Sequence, residues 1–176
     1  MEQFCMEESE GCTQESIRFI PKSLDGIGLV LELPEGFYQM EEDRQHRYYP
    51  RKGRPEIILE NGSGVQITAQ PLNQKVESAR IRFAAEEVCL LTKEMFPRYE
   101  ISPVYLCREG KLPTGWFQME MTDIKAEHIK ALSTVKERLV LLTFTYPARA
   151  SAKWRCIVRQ SFRTFRESGD WADGTN

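Results

Sequence analysis

The chain has 176 residues, 41% of them hydrophobic and 28% charged, which is enough for one well-buried core and short for two. Its formal net charge of −2 gives no global attraction to nucleic acid or to anionic membranes, and no apolar run approaches the roughly 20 residues that a membrane-crossing helix needs. Five cysteines (Cys5, Cys12, Cys89, Cys107 and Cys156) form no CxxC pair and no disulfide framework, which fits a reducing compartment.

The opening MEQFCMEESEGC is acidic where a secretory signal would be basic and then apolar, so a cytoplasmic protein without membrane insertion is expected. Residues 1–16 carry Glu2, Glu7, Glu8, Glu10 and Glu15, no Lys or Arg, and few large apolar groups, and are expected to be flexible. Residues 17–166 read as a single α+β domain. Residues 167–176 read as a polar tail in which only Trp171 offers an anchor.

Strands are expected near residues 17–20, 28–33, 45–49, 56–60, 64–70, 99–107, 115–122, 128–135 and 138–146. Glu60-Asn61-Gly62-Ser63-Gly64 joins two of them as a hairpin turn, because Asn and Gly accept the positive φ of tight turns. Val76, Phe83, Ala84, Val88, Leu91 and Met95 set an apolar stripe on a long helix of about six turns, stopped by Pro97. Leu139 to Tyr146 is apolar on both alternating faces, the pattern of a strand buried on both sides. After Pro147 the period changes: Trp154, Ile157, Val158, Ser161, Phe162 and Phe165 form one stripe of a final amphipathic helix. Strands joined by short links around these two helices imply a mainly antiparallel sheet with a long central helix and a C-terminal helix packed on it.

Catalytic constellations are weak. His46 and His128 lie far apart and neither has a second ligand at metal spacing, so no metal site and no cofactor are expected. Gly62-Ser63-Gly64 is followed by a strand and not the helix of a nucleophile elbow. Cys89 and Cys156 fall within helices as small core or near-core groups.

Two surfaces stand above this background. Val65, Ile67 and Ala69 alternate with Gln66, Thr68 and Gln70, and Phe117, Met119 and Met121 alternate with Trp116, Gln118 and Glu120, so each strand buries one face. The remaining polar face, with Gln66, Thr68, Gln118 and Trp116 as its aromatic anchor, reads as a partner-binding surface. The second is Arg44 to Arg54, where Arg47, Tyr48, Tyr49 and Arg51 interleave cations with aromatics. Nucleic acid is not the expected ligand there, because an edge protected by charge explains the same residues in an acidic chain. Arg155, Arg159, Arg163 and Arg166 add a basic stripe to the final helix, suited to an acidic partner, to the chain's own acidic N-terminal segment or to the helix macrodipole.

Leu31-Glu32-Leu33-Pro34-Glu35-Gly36-Phe37, a strand ending in Pro-x-Gly-aromatic, together with Leu142 to Pro147 and Trp154 to Phe165, resembles the beginning and end of the PsbP/DcrB-like superfamily, which includes a Ran-GTPase-binding factor. The resemblance spans about Ile17 to Phe165 and implies an α/β sandwich and a non-enzymatic role, as accessory proteins or as chaperones that shield apolar segments of secreted toxins. It supplies no catalytic residues. The expected function is a non-catalytic protein-binding or chaperone-like module, whose partner is another protein, a client segment or a second copy. The alternatives are a small hydrolase or transferase with its site around Trp116, and weak nucleic-acid binding through Arg44 to Arg54.

Overall fold

Alternating apolar residues need a cover on each face they present, and in this chain two different covers are supplied. The computed structural model describes residues 16–169. Strand β1 (Phe19–Leu24) pairs antiparallel with β2 (Leu29–Pro34) through a turn in which Gly26 and Gly28 take positive φ. A main antiparallel sheet follows, built from β3 (Tyr38–Gln39), β4 (Ile57–Glu60), β5 (Gln66–Lys75), β10 (Arg138–Pro147), β9 (Ala126–Val135), β8 (Thr114–Met121) and β6 (Glu100–Ile101) in that spatial order, with β7 (Tyr105–Cys107) also on β8. Helix α1 (Glu42–Tyr48) precedes β4, α2 (Ile81–Met95) joins the sheet's two halves, and α3 (Ser151–Phe162) follows β10. The last strand, β11 (Arg166–Glu167), returns to pair with β2 and completes a second, three-stranded sheet.

The α+β class, the antiparallel sheet and the two long helices agree with the sequence reading. Strand β10 lies at the middle of the main sheet, between β5 and β9, as its two-sided apolar pattern requires. Trp154, Ile157, Val158, Phe162 and Phe165 are all buried, against Ile67, Leu142 and Phe144 of the main sheet and Leu29, Leu31 and Leu33 of the small one. One face of the main sheet is therefore covered by α3 and the small sheet together, and the other by α2 and α1. The β4–β5 turn is held by Asn61 Oδ1, which accepts from the backbone N–H groups of Ser63 and Val65 at 3.0 and 3.1 Å. The β9–β10 turn is less ordinary: Lys136 and Glu137 both take positive φ, and the turn is held by a 2.6 Å bond from the Lys136 N–H to Glu167 Oε1 and by the Val76 N–H donating to the Glu137 carbonyl.

Four expectations are corrected. Residues 45–49 are not a strand: they belong to α1 and its C-terminal cap, with Glu42 and Asp43 in the first turn and His46 and Arg47 in the last, the arrangement that the helix dipole favours. Pro50 then ends the helix, because the residue before a proline is driven out of the helical region. The single strand 99–107 is two short strands separated by residues 102–104. The long helix begins at Ile81 after a 3-10 turn (Ser78–Arg80) and has 15 residues, so it makes about four turns and not six. Residues 167 and 168, expected in a tail, belong to the folded domain, since Glu167 pairs with Leu29 and the Ser168 N–H donates to the Gly28 carbonyl. The expected flexible segment, apart from Ser16, and Trp171 lie outside the described residues.

A further correction bears on the surface of the protein. Helix α2 buries Ile81, Ala84, Ala85, Cys89 and Thr92, while Phe83, Leu91 and Met95 of the expected stripe stay exposed. Gly115 of β8 gives the reason. A Cβ there would lie 2.6 Å from the Ala85 Cβ and 3.3 Å from the Ile81 carbonyl oxygen, so the helix sits hard against the strand and only its small side chains fit between.

Candidate functional site

The pairing register decides which side chains share a face. Trp116 is opposite Ala131 and Gln118 opposite Ile129, and Ala131 and Ile129 belong to the core beneath α3. Gln66 and Thr68 are opposite Thr145 and Thr143, on the other side of the sheet. The polar face expected to unite Trp116 and Gln118 with Gln66 and Thr68 is thus two different faces. The correction has a simple cause: alternation within a strand shows that one side is buried, but says nothing about which side. Trp116 itself is half-buried, with its ring centroid 5.8 Å from that of Phe162 and 4.9 Å from that of Tyr105. Trp116→Ala is accordingly expected to lower stability by about 2 kcal/mol, below the cost of a fully buried aromatic. An unchanged melting temperature in the variant would contradict this packing role.

Gln66 and Thr68 do meet two other residues singled out by the sequence. On their side of the sheet, α1 and the loop after it lean over the strands, and Tyr48, Tyr49 and Pro55 wall an open cleft of about 360 Å³. Its floor is polar apart from Leu141: Gln66, Thr68 and Gln70 from β5, Thr143 and Thr145 from β10, and His128 and Lys130 from β9. The Tyr49 hydroxyl donates to Gln66 Oε1 at 2.8 Å, and burial raises its pKa above the ordinary tyrosine value. Lys130 Nζ donates to Thr143 Oγ1 at 3.3 Å, and burial lowers its pKa. His128 is held neutral, its pKa pushed down to about 4 by burial and then by the neighbouring Lys130 charge, and its buried Nδ1 has no hydrogen-bond partner. Sequence reasoning missed His128 and Lys130. Their two-residue spacing with Ile129 pointing the other way was visible, but a histidine and a lysine in a strand read equally as solvated surface.

The wall of this cleft is fixed by an ion pair. Arg44 Nε and Nη2 donate to the two carboxylate oxygens of the buried Glu60 at 2.9 and 2.8 Å, and the Arg44 guanidinium lies 5.2 Å from the centre of the Tyr48 ring. Arg54 Nη2 donates to His46 Nε2 at 3.1 Å. The interleaved cations and aromatics are therefore partly engaged within the domain, and Arg47, Tyr48, Arg51 and Lys52 keep exposed side chains.

Arg155, Arg163 and Arg166 of the basic stripe are similarly engaged. Arg155 makes a two-pronged contact with the buried Glu127, 2.7 Å at the closer pair, and also reaches Glu120. Arg163 pairs with Glu109, and Arg166 lies 3.9 Å from Glu32. Cys89, on the buried side of α2, is held protonated because burial raises its pKa, which disfavours a nucleophilic role. Among the described residues no three His, Cys, Asp or Glu side chains gather as a metal ion would require, and no helix is long and apolar enough to cross a membrane.

No family model and no curated protein matches the chain. Among solved structures it is similar to cyanobacterial PsbP (CyanoP) from Synechocystis, at 8% sequence identity and a TM-score of 0.59, over 89% of this chain and 96% of that one. A structure from Bacteroides thetaiotaomicron matches at 12% identity and a TM-score of 0.46, over 80% of this chain and 45% of that one. The first likeness shows a PsbP-like fold, in agreement with the resemblance carried by Leu31 to Phe37 and Trp154 to Phe165.

Proposed function

We propose that this PsbP-like domain is a non-catalytic binding module for another protein, and that it binds through the outer face of α2. The observation that carries the reading is the set of four large apolar side chains the helix leaves in solvent: Phe83, Leu90, Leu91 and Met95, exposed by 61, 60, 57 and 70%. Single exposed apolar residues are ordinary, but four on one helix form a patch of the kind that marks an interaction site. At 100° per residue Phe83 and Leu90 share a line along the helix, flanked by Glu86, Glu87 and Glu94. The partner that fits is a segment with apolar side chains bordered by Lys or Arg, an amphipathic helix laid along α2 being the simplest form. The same geometry suits an accessory protein that shields such a segment, and asks nothing of catalytic groups.

The test is a double substitution, Phe83→Glu with Leu90→Glu, compared with the unaltered protein in co-purification from the native host. Both residues are exposed, so stability should change by less than about 0.5 kcal/mol per site. Retention of the partner should fall at least tenfold, about 1.4 kcal/mol. A partner retained equally by both forms would remove α2 from the interface. Conversion of a dimer to a monomer by the same variant would identify the partner as a second copy.

A further inference from the structure

The cleft between α1 and the main sheet holds a second set of features that protein docking on α2 leaves unused. Lys130 is a largely buried cation whose one side-chain hydrogen bond is to Thr143, and no carboxylate pairs with it among the described residues. Beside it, His128 keeps its Nδ1 buried and unpartnered. Both are unfavourable in a folded protein unless something satisfies them. Departures of this kind, placed together on the floor of an open cleft, are expected at functional sites.

We propose that this cleft binds a small polyhydroxy carboxylate, with its carboxylate at Lys130 Nζ and its hydroxyl groups on the threonine and glutamine side chains of β5 and β10. Charge selects the class: the cleft lining contains one cation and no acid, so a monoanion balances it and a phosphate dianion would leave one charge uncompensated. The ligand's body is set by the floor. Thr68, Thr143, Thr145, Gln66 and Gln70 offer hydroxyls and amides that both donate and accept, the requirement for a sugar-like chain of hydroxyl groups. The Tyr49 ring supplies an apolar wall and is fixed there by its bond to Gln66. A volume of about 360 Å³ falls at the lower end of the range of small-molecule sites. This proposal stands apart from the α2 surface, which lies on another helix, and either can fail without the other.

The probe is gluconate, which carries one carboxylate and a chain of hydroxyls, with sorbitol as its neutral counterpart. Titration calorimetry of the whole protein should show saturable gluconate binding and none for sorbitol. In the NMR spectrum the His128 ring signals should shift with gluconate. Lys130→Met keeps the length of the side chain and removes the charge, and should weaken gluconate at least tenfold. If that variant does not fold, the His128 shift in the unaltered protein decides. No saturable binding up to about 10 mM, equal binding by Lys130→Met, or equal binding of sorbitol overturns the proposal. A short peptide with a free C-terminal carboxylate that competes more tightly than gluconate overturns it as well, in favour of a chain terminus as the ligand.

Discussion

Phe162→Ala is expected to cost about 3 to 5 kcal/mol of folding stability. The ring is fully buried where three layers meet, with its centroid 6.0 Å from that of Phe144 in the main sheet, 5.6 Å from Phe165 and 5.8 Å from Trp116. Its loss removes the apolar contacts of one aromatic side chain and leaves a cavity that α3, held at one end by Arg155 and Glu127 and continued at the other into β11, is poorly placed to close. A domain of this size has only about 5 to 15 kcal/mol in total, so the variant should be strongly sensitised to urea. A midpoint displaced by less than the equivalent of about 1 kcal/mol would mean that α3 is not the central packing element.

Acidification should destabilise the protein through His128 by about 3 kcal/mol between pH 7 and pH 4. In the folded state burial and Lys130 push its pKa down to about 4 from the ordinary 6.5, so the native protein holds the ring neutral where the unfolded chain would already protonate it. The unfolded state therefore binds more protons through this window. The neutral histidine's advantage is fully present above pH 6.5 and is lost progressively as the pH falls towards 4. The comparison is thus between the unaltered protein and His128→Leu, whose stability profile should be flatter across this range. Parallel profiles would show that His128 is as solvated in the fold as out of it.

How far the sequence carried the fold depended on whether an element's period was set by packing alone. Helix α3 was legible in every buried position because its stripe faces a core on one side and water on the other. Strand β10 was legible because it is covered on both sides. Helix α2 was misread at residues that carry the proposed docking surface. A large apolar residue is normally read as core, and nothing in Phe83, Leu91 or Met95 reveals that Gly115, on a strand that comes later in the chain, leaves room only for the small side chains of the helix. Helix α1 was misread as a strand because Tyr48 and Tyr49 favour extended structure locally, while the bond from Arg44 to Glu60 acts between segments.

The candidate sites divide in the same way. Tyr48, Tyr49, Gln66 and Thr68 were chosen from two separate stretches and the fold brings them into one cleft. Trp116 and Gln118 were grouped with them on alternation, and strand pairing puts them on the opposite side. Face assignment depends on the partner strand, which lies outside any single stretch of sequence.

The return of β11 to β2 has a consequence for how the protein is made. Thr164 Oγ1 accepts from the Glu32 N–H across 132 residues of chain, and Arg166 is paired with Val30. A ribosome adding about 5 to 20 residues per second needs on the order of ten seconds to cover that span. Throughout that interval Leu29, Leu31 and Leu33 are attached to a nascent chain whose covering helix has not been synthesised. Completion of this core therefore waits until α3 and β11 have left the ribosome. Translation that stalls before residue 162 leaves an apolar hairpin available to general chaperones and to neighbouring nascent chains.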